Sequence, residues 1–207
     1  MREIFMARPM RHGPAARRTS TPYVSPQAAE IISQVESVTG DISFAQSLQF
    51  SPTALTHIKR MIAAGGSIVV DTSLIESDVN SSLLNGTDAK IKCFIDDPEV
   101  VQLAEIRRTT RAEIAVDIAL SQPGPKLMVI GSAPAALNRI LLRRKTEPLS
   151  DVCVLAAPTG FATVIQLKEK LRDSDMAYIV ARGKQGGINQ TVALLNAILE
   201  SIMKERT

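Results

Sequence analysis

Residues Met176 to Leu199 read MAYIVARGKQGGINQTVALLNAIL. The β-branched pair Ile179 and Val180, flanked by apolar neighbours, predicts a buried strand. Arg182-Gly183-Lys184-Gln185-Gly186-Gly187 follows as a turn, and from Val192 onward apolar residues recur at helical spacing. The unit is strand, glycine loop, helix. Its glycines let backbone approach a ligand closely, and Arg182, Lys184 and the N–H groups opening the helix offer positive potential to a carboxylate or phosphate. It is no Walker A loop, because no Ser or Thr follows Gly183-Lys184, and its glycine order is not the dinucleotide fingerprint. A plain surface turn is the bland alternative.

The same alternation runs back through the chain. Leu127 to Ile130 followed by Gly131-Ser132-Ala133-Pro134, and Val152 to Ala156 followed by Pro158-Thr159-Gly160-Phe161, are two further strand-to-helix units. Ser67 to Asp71 reads as a buried strand ending in a carboxylate, and Ile91 to Ile95 as another. Between them, Glu76 to Lys90 is polar enough for a mobile flap. Asp97-Pro98 and Thr110 open two helices, and Gln27 to Val38 forms a helix stopped at Gly40. Asp41 to Ser51 is an expected edge strand, with a helix from Ser51-Pro52 to Ala64 after it. His57 falls at the boundary of that helix's apolar face. The reading is a three-layer α/β domain: a mainly parallel sheet of about five strands with helices on both faces. Ligands bind such sheets beyond the carboxyl ends of the strands. That rule gathers the Asp71, Ser132, Pro158 to Phe161 and Arg182 to Gly187 loops on one rim.

Composition narrows the function. The chain has 207 residues, 45% apolar, with 3% aromatic side chains and no Trp, so base-stacking platforms for nucleic acid lack raw material. The net charge of +3 is concentrated near the start, where Arg2, Arg8, Arg11, Arg17 and Arg18 face only Glu3. Residues 1–26, with Pro9, Pro14, Pro22 and Pro26, read as a basic, extended arm ahead of a single domain over 27–207. His12 lies in the arm. Cys93 and Cys153 show neither zinc nor disulfide spacing, no apolar run could span a membrane, and a cytoplasmic location is expected.

Taken in order, several stretches resemble the precorrin-8X methylmutase family: Leu48-Gln49-Phe50-Ser51-Pro52, Ile68 to Asp71, Thr110-Arg111, Gly131 to Leu137, Pro158 to Phe161, Lys168-Glu169 and Ile179 to Gly187. The resemblance spans roughly residues 27 to 200. It implies an α/β homodimer that binds a polycarboxylate corrin precursor, precorrin-8 or its cobalt form. The implied reaction shifts a methyl group from C-11 to C-12 in cobalamin biosynthesis, with neither a metal nor an organic cofactor. Asp71, Arg111, Ser132, Ala133, Pro134, Gly160, Phe161, Arg182, Gly183, Gly186 and Gly187 become the implied substrate contacts.

One departure bears on catalysis. Counting back from Leu48-Gln49-Phe50-Ser51, with Thr39 and Asp41 in register, the histidine implied as the ring-protonating acid is replaced by Ser37. A hydroxyl is a poor general acid near neutrality. Glu36 and Asp41 are the possible substitutes, although Glu36 points about 100° away from Ser37 on a helix. Ala112, Ser132 and Leu167 also stand where the family usually has Ser, Asn and Ser. Two readings follow from retained binding loops with an altered acid position: a divergent isomerase, or a corrinoid-binding paralogue without turnover. A nucleotide or adenosylmethionine enzyme on a similar sheet is a third, without a fingerprint to support it.

Overall fold

The computed structural model describes residues 24–205. All but the last three residues of the expected arm therefore lie outside the described region, His12 included. Ser25 and Pro26 belong to the domain: the Ser25 side chain accepts from the Ala28 N–H, and Pro26 opens helix α1 (Pro26–Thr39), which Gly40 ends in a left-handed conformation.

Six strands form one sheet: β1 (Leu48–Phe50), β2 (Ser67–Val70), β3 (Lys90–Cys93), β4 (Lys126–Ile130), β5 (Val152–Ala156) and β6 (Ala177–Ala181). Their spatial order is β1-β6-β5-β4-β2-β3, parallel except for β1, which runs antiparallel along β6 with Leu48 opposite Ala181. The five strands expected from apolar runs are all present, and β1 adds the sixth. Only part of the expected 41–51 strand is extended. Asp41 accepts from the Phe44 N–H and starts helix α2 (Ile42–Ser47), where Phe44, Ala45 and then Leu48 reach the core at helical spacing. Beyond β1, Ser51 prolongs the edge pairing by bonding Tyr178 through both its N–H and its hydroxyl.

Alternation along the central strands splits the core in two. In β4, Leu127 and Val129 face one layer, made of α1, α2, α3 (Ala54–Ala63), α4 (Ser73–Asp78) and α9 (Ile188–Lys204). Met128 and Ile130 face the other, made of α5 (Pro98–Arg107), α6 (Arg111–Ser121), α7 (Pro134–Thr146) and α8 (Ala162–Arg172). This is the three-layer arrangement. The segment expected as a flap instead forms α4 and a 3-10 turn at Ser81–Leu84. Its Val79, Leu84 and Ala89 are buried, and the Asn80 N–H bonds the Asn196 side chain of α9 at 3.0 Å. Polarity suggested exposure there, but apolar residues spaced between the polar ones hold the segment down.

Strand order reverses between β2 and β4. From β2 the chain moves outward to β3, returns to place β4 on the other side of β2, and continues through β5 to β6. The crossover after β2 lies on the α9 face and that after β4 on the α7 face, so the strand ends there part into a crevice.

Candidate anion site at the carboxyl rim

At the switch crevice the Asp71 carboxylate accepts from three backbone N–H groups, those of Gly131 at 3.1 Å, Ser132 at 2.8 Å and Ala133 at 2.6 Å. Burial pushes the Asp71 carboxyl above its ordinary range, and the three donors oppose that shift. Ala133, the N-cap of α7, has no side-chain oxygen to offer, so the strand end supplies one from outside the helix. Gly131 is required by space: a Cβ would lie 2.6 Å from Ile75 and 2.7 Å from the Thr191 hydroxyl. Asp71 is thus committed to backbone, while the Ser132 side chain is exposed beside it and Pro134 begins α7.

Two strands away, the loop from Arg182 to Gly187 has the opposite character. Its ends are fixed, since the Arg182 N–H donates to Ser47 O at 2.9 Å and the Gly187 N–H to Ala157 O at 2.8 Å. Between them, residues 183–184 form a turn that directs the Gln185 N–H back toward Arg182 O, while the N–H groups of Gly183, Lys184 and Gly186 have no acceptor among the described residues. Gly183 takes a left-handed φ of 66°, and Gly186 passes so close to β5 that a Cβ would meet Ala157 O at 1.9 Å. Arg182 is exposed and reaches Glu169 at 3.3 Å, which also pairs with Arg172. Lys184 is exposed and unpaired among the described residues. Free amides, two exposed cations and the start of α9 are the groups that mark this loop as the candidate anion site.

Sequence reading missed Lys168 as a site residue. It is fully buried, and its Nζ donates from beneath the loop to Gly183 O at 3.1 Å and Gln185 O at 2.6 Å. The signal was present: Val164, Leu167, Lys168 and Leu171 are the buried positions of α8, so a lysine occupies an apolar stripe. Burial pulls its pKa down to about 8.

The remaining candidates border this rim. Gln27 at the start of α1 bonds Ser201 near the end of α9, and Asp41 just past α1 lies beside Gln190 near the start of α9, so the two helices run antiparallel. Ser37 is exposed on the last turn of α1 and Glu36 half-buried, its carbonyl receiving the Gly40 N–H. Asp41 lies near Gln190, and bonds from the Phe44 N–H and Ser43 hydroxyl hold its carboxyl below the usual range. A carboxyl so held is ionised at neutrality and ill suited to donate a proton. Gly160 precedes α8, and Phe161 beside it is 85% exposed. Arg111 is farther off along the sheet, paired with Asp96 at 3.0 Å beyond β3. A different cleft, of about 680 Å³, opens at the other end of the sheet between His57, Arg60, Arg144 and Asp175. Volume alone does not select the site, because the loops with uncommitted donors are at the carboxyl rim. No group of three or more metal-ligating side chains is found among the described residues.

A family model described as precorrin-8X methylmutase matches residues 14–201. The chain belongs to the precorrin-8X methylmutase family. Its match begins inside the segment read as an arm. The cobalt-precorrin-8 methylmutase of Salmonella typhimurium is 34% identical over 178 residues, covering 86% of this chain and 83% of the relative. The enzyme of the same name from Methanothermobacter thermautotrophicus is 29% identical, covering 85% and 82%. Among solved structures, the precorrin-8X methylmutase of Thermus thermophilus superposes with a TM-score of 0.78 at 25% identity, covering 90% of this chain and 91% of that one.

Proposed function

We propose that this chain is a corrinoid isomerase of cobalamin biosynthesis, shifting a methyl group from C-11 to C-12 of precorrin-8 or its cobalt form. The observation that carries the reading is the candidate anion seat: the uncommitted N–H groups of Gly183, Lys184 and Gly186 beside the Arg182 and Lys184 side chains, in a chain belonging to a methylmutase family. A macrocycle bearing many carboxylates is held by such donors, with Arg182 and Arg111 as ionic contacts and Ser132, Ala133, Pro134, Gly160 and Phe161 along the same face. Gly183, Gly186 and Gly187 bring backbone to the ligand.

Holding the ring in one orientation is the larger part of catalysis for an intramolecular shift. With Ser37 at the acid position and Asp41 held ionised, positioning carries the rate, and proton delivery is the weak step. The reading includes a homodimer in the cytoplasm. Exposed Val38, Ile42 and Phe161 offer apolar surface for a partner copy, and Cys93 and Cys153 are free thiols. No described helix is long and apolar enough to cross a membrane. Light scattering should give twice the 22.4 kDa chain mass, and a monomer at micromolar concentration would remove the dimer.

The decisive experiment mixes purified protein with precorrin-8, or its cobalt form, and follows the visible spectrum, which changes when the conjugated system is rearranged. Conversion by the wild type is expected, with Ser37→His faster by about 10²-fold if a positioned imidazole is what the chain lacks. A wild type that binds without converting, while Ser37→His converts, would make the chain a corrinoid-binding paralogue. Absence of any spectral change with either protein would sink both readings.

A further inference from the structure

Lys168 combines three properties that surface lysines lack. It is fully buried, pairs with no carboxylate among the described residues, and spends its hydrogen bonds on two carbonyls of one loop, those of Gly183 and Gln185. An ammonium in such a place is costly to desolvate and is tolerated where carbonyl dipoles surround it.

The consequence follows from peptide geometry. In a trans peptide the carbonyl of one residue and the N–H of the next point in opposite directions, and this chain has no cis bonds among its described residues. Drawing Gly183 O and Gln185 O down onto Lys168 therefore turns the N–H groups of Lys184 and Gly186 away from it. Both are among the three N–H groups of the loop with no acceptor among the described residues. We propose that Lys168 is the positioning residue of the anion seat: by holding these two carbonyls inward it presents the Lys184 and Gly186 amides, and its own charge behind them, to a carboxylate of the ligand. The identity of that ligand as a corrinoid rests on the function proposed above; the loop geometry does not.

A pH dependence accompanies the geometry. The ionisable groups on the surrounding elements are Glu169, Lys170 and Arg172 of α8, Tyr178 of β6, and Arg182 and Lys184 of the loop. The basic run Arg143, Arg144 and Lys145 lies at the far end of α7. Burial, not any of these charges, lowers Lys168 from 10.5 to about 8. Below about 8 the ammonium is present in the folded chain; between about 8 and 10.5 the folded chain holds a neutral amine while the unfolded chain still holds its proton. This group's contribution to stability therefore rises with pH across that window, whereas affinity for an anion falls, by about tenfold per pH unit at most for one proton.

The test is a titration of the wild type and Lys168→Met with the corrin product of the methyl shift from pH 6.5 to 10, alongside the ¹⁵N chemical shifts of the Lys184 and Gly186 amides without ligand. Wild-type affinity should fall above about pH 8, both amides should move with the same midpoint, and Lys168→Met should bind at least tenfold more weakly at pH 7 with the pH dependence flattened. Amides that do not move between pH 7 and 9, or a methionine variant that keeps the wild-type affinity and profile, would overturn the proposal. If the methionine variant fails to fold, the wild-type amide titration decides alone. A wild type that binds no corrin product at all would end the corrinoid reading, while the amide titration would still judge Lys168.

Discussion

The rim holds two clusters of backbone N–H groups at strand ends, and they differ in where the countercharge comes from. At the switch crevice three N–H groups converge on Asp71, a carboxylate of the protein's own. At the β6–α9 loop three N–H groups have no acceptor among the described residues and a buried ammonium stands behind them. The first cluster is complete without a ligand and stabilises the junction of β2, β4 and α7. The second has no countercharge of the protein's own among the described residues, and in the proposed reading an anionic ligand supplies it. Open α/β sheets bind ligands near the switch point, but here the protein has filled that point itself. The open donors are displaced toward β6, where the antiparallel β1 and the approach of α1 add a wall.

The contrast can be broken at its strongest point by Gly186→Ala. The added Cβ would lie 1.9 Å from Ala157 O with φ at 139°, so either β5 or the loop must move. We expect stability to fall by on the order of 3 kcal/mol in urea denaturation and corrin binding to be lost with it. A variant as stable as the wild type with intact binding would show that the loop does not rest on β5 as described.

Asp71→Asn separates the two clusters. The amide keeps one acceptor oxygen and turns an NH₂ toward backbone donors, leaving at least one buried N–H unsatisfied, so a loss of about 1–3 kcal/mol is expected. Corrin affinity should stay within about threefold if Asp71 serves the scaffold alone. An affinity change larger than the stability change would place Asp71 against the ligand instead.

Arg182→Gln should do the reverse, with the smallest effect on the fold. Its pair with Glu169 is half-exposed and long at 3.3 Å, so stability should change by less than about 0.5 kcal/mol. Affinity for the corrin product, read by spectral titration, should fall about tenfold through loss of one charge-assisted contact. Unchanged affinity would reduce Arg182 to a partner of Glu169.

Much of this was legible in residue order. Gly40 and Thr110 mark helix ends by chemistry that acts within a few residues, and both do so here; Thr110 and Glu113 form a reciprocal capping box. The central strands were legible because burial on both faces demands continuous apolar runs. Edge elements were not. Residues 42–47 alternate loosely, and only the Asp41 cap and the burial of Phe44 and Ala45 decide for helix over strand. Polarity misled at 76–90, where three buried apolar side chains among many polar ones suffice to seat the segment on α9 and the sheet.

Sequence by itself determined the alternation of strands and helices, the glycine loop after the last strand, and the serine where the resemblance calls for a histidine. These follow from short-range rules of periodicity, capping and backbone freedom. Tertiary structure decided which amides remain open. Asp71 meets Gly131, Ser132 and Ala133 only because β2 and β4 become neighbours after the intervening β3 is placed outside them. Lys168 reaches Gly183 and Gln185 only because α8 packs against β6 with that stripe inward. Whether a donor is satisfied depends on what the fold brings within about 3 Å of it, and no local pattern encodes that.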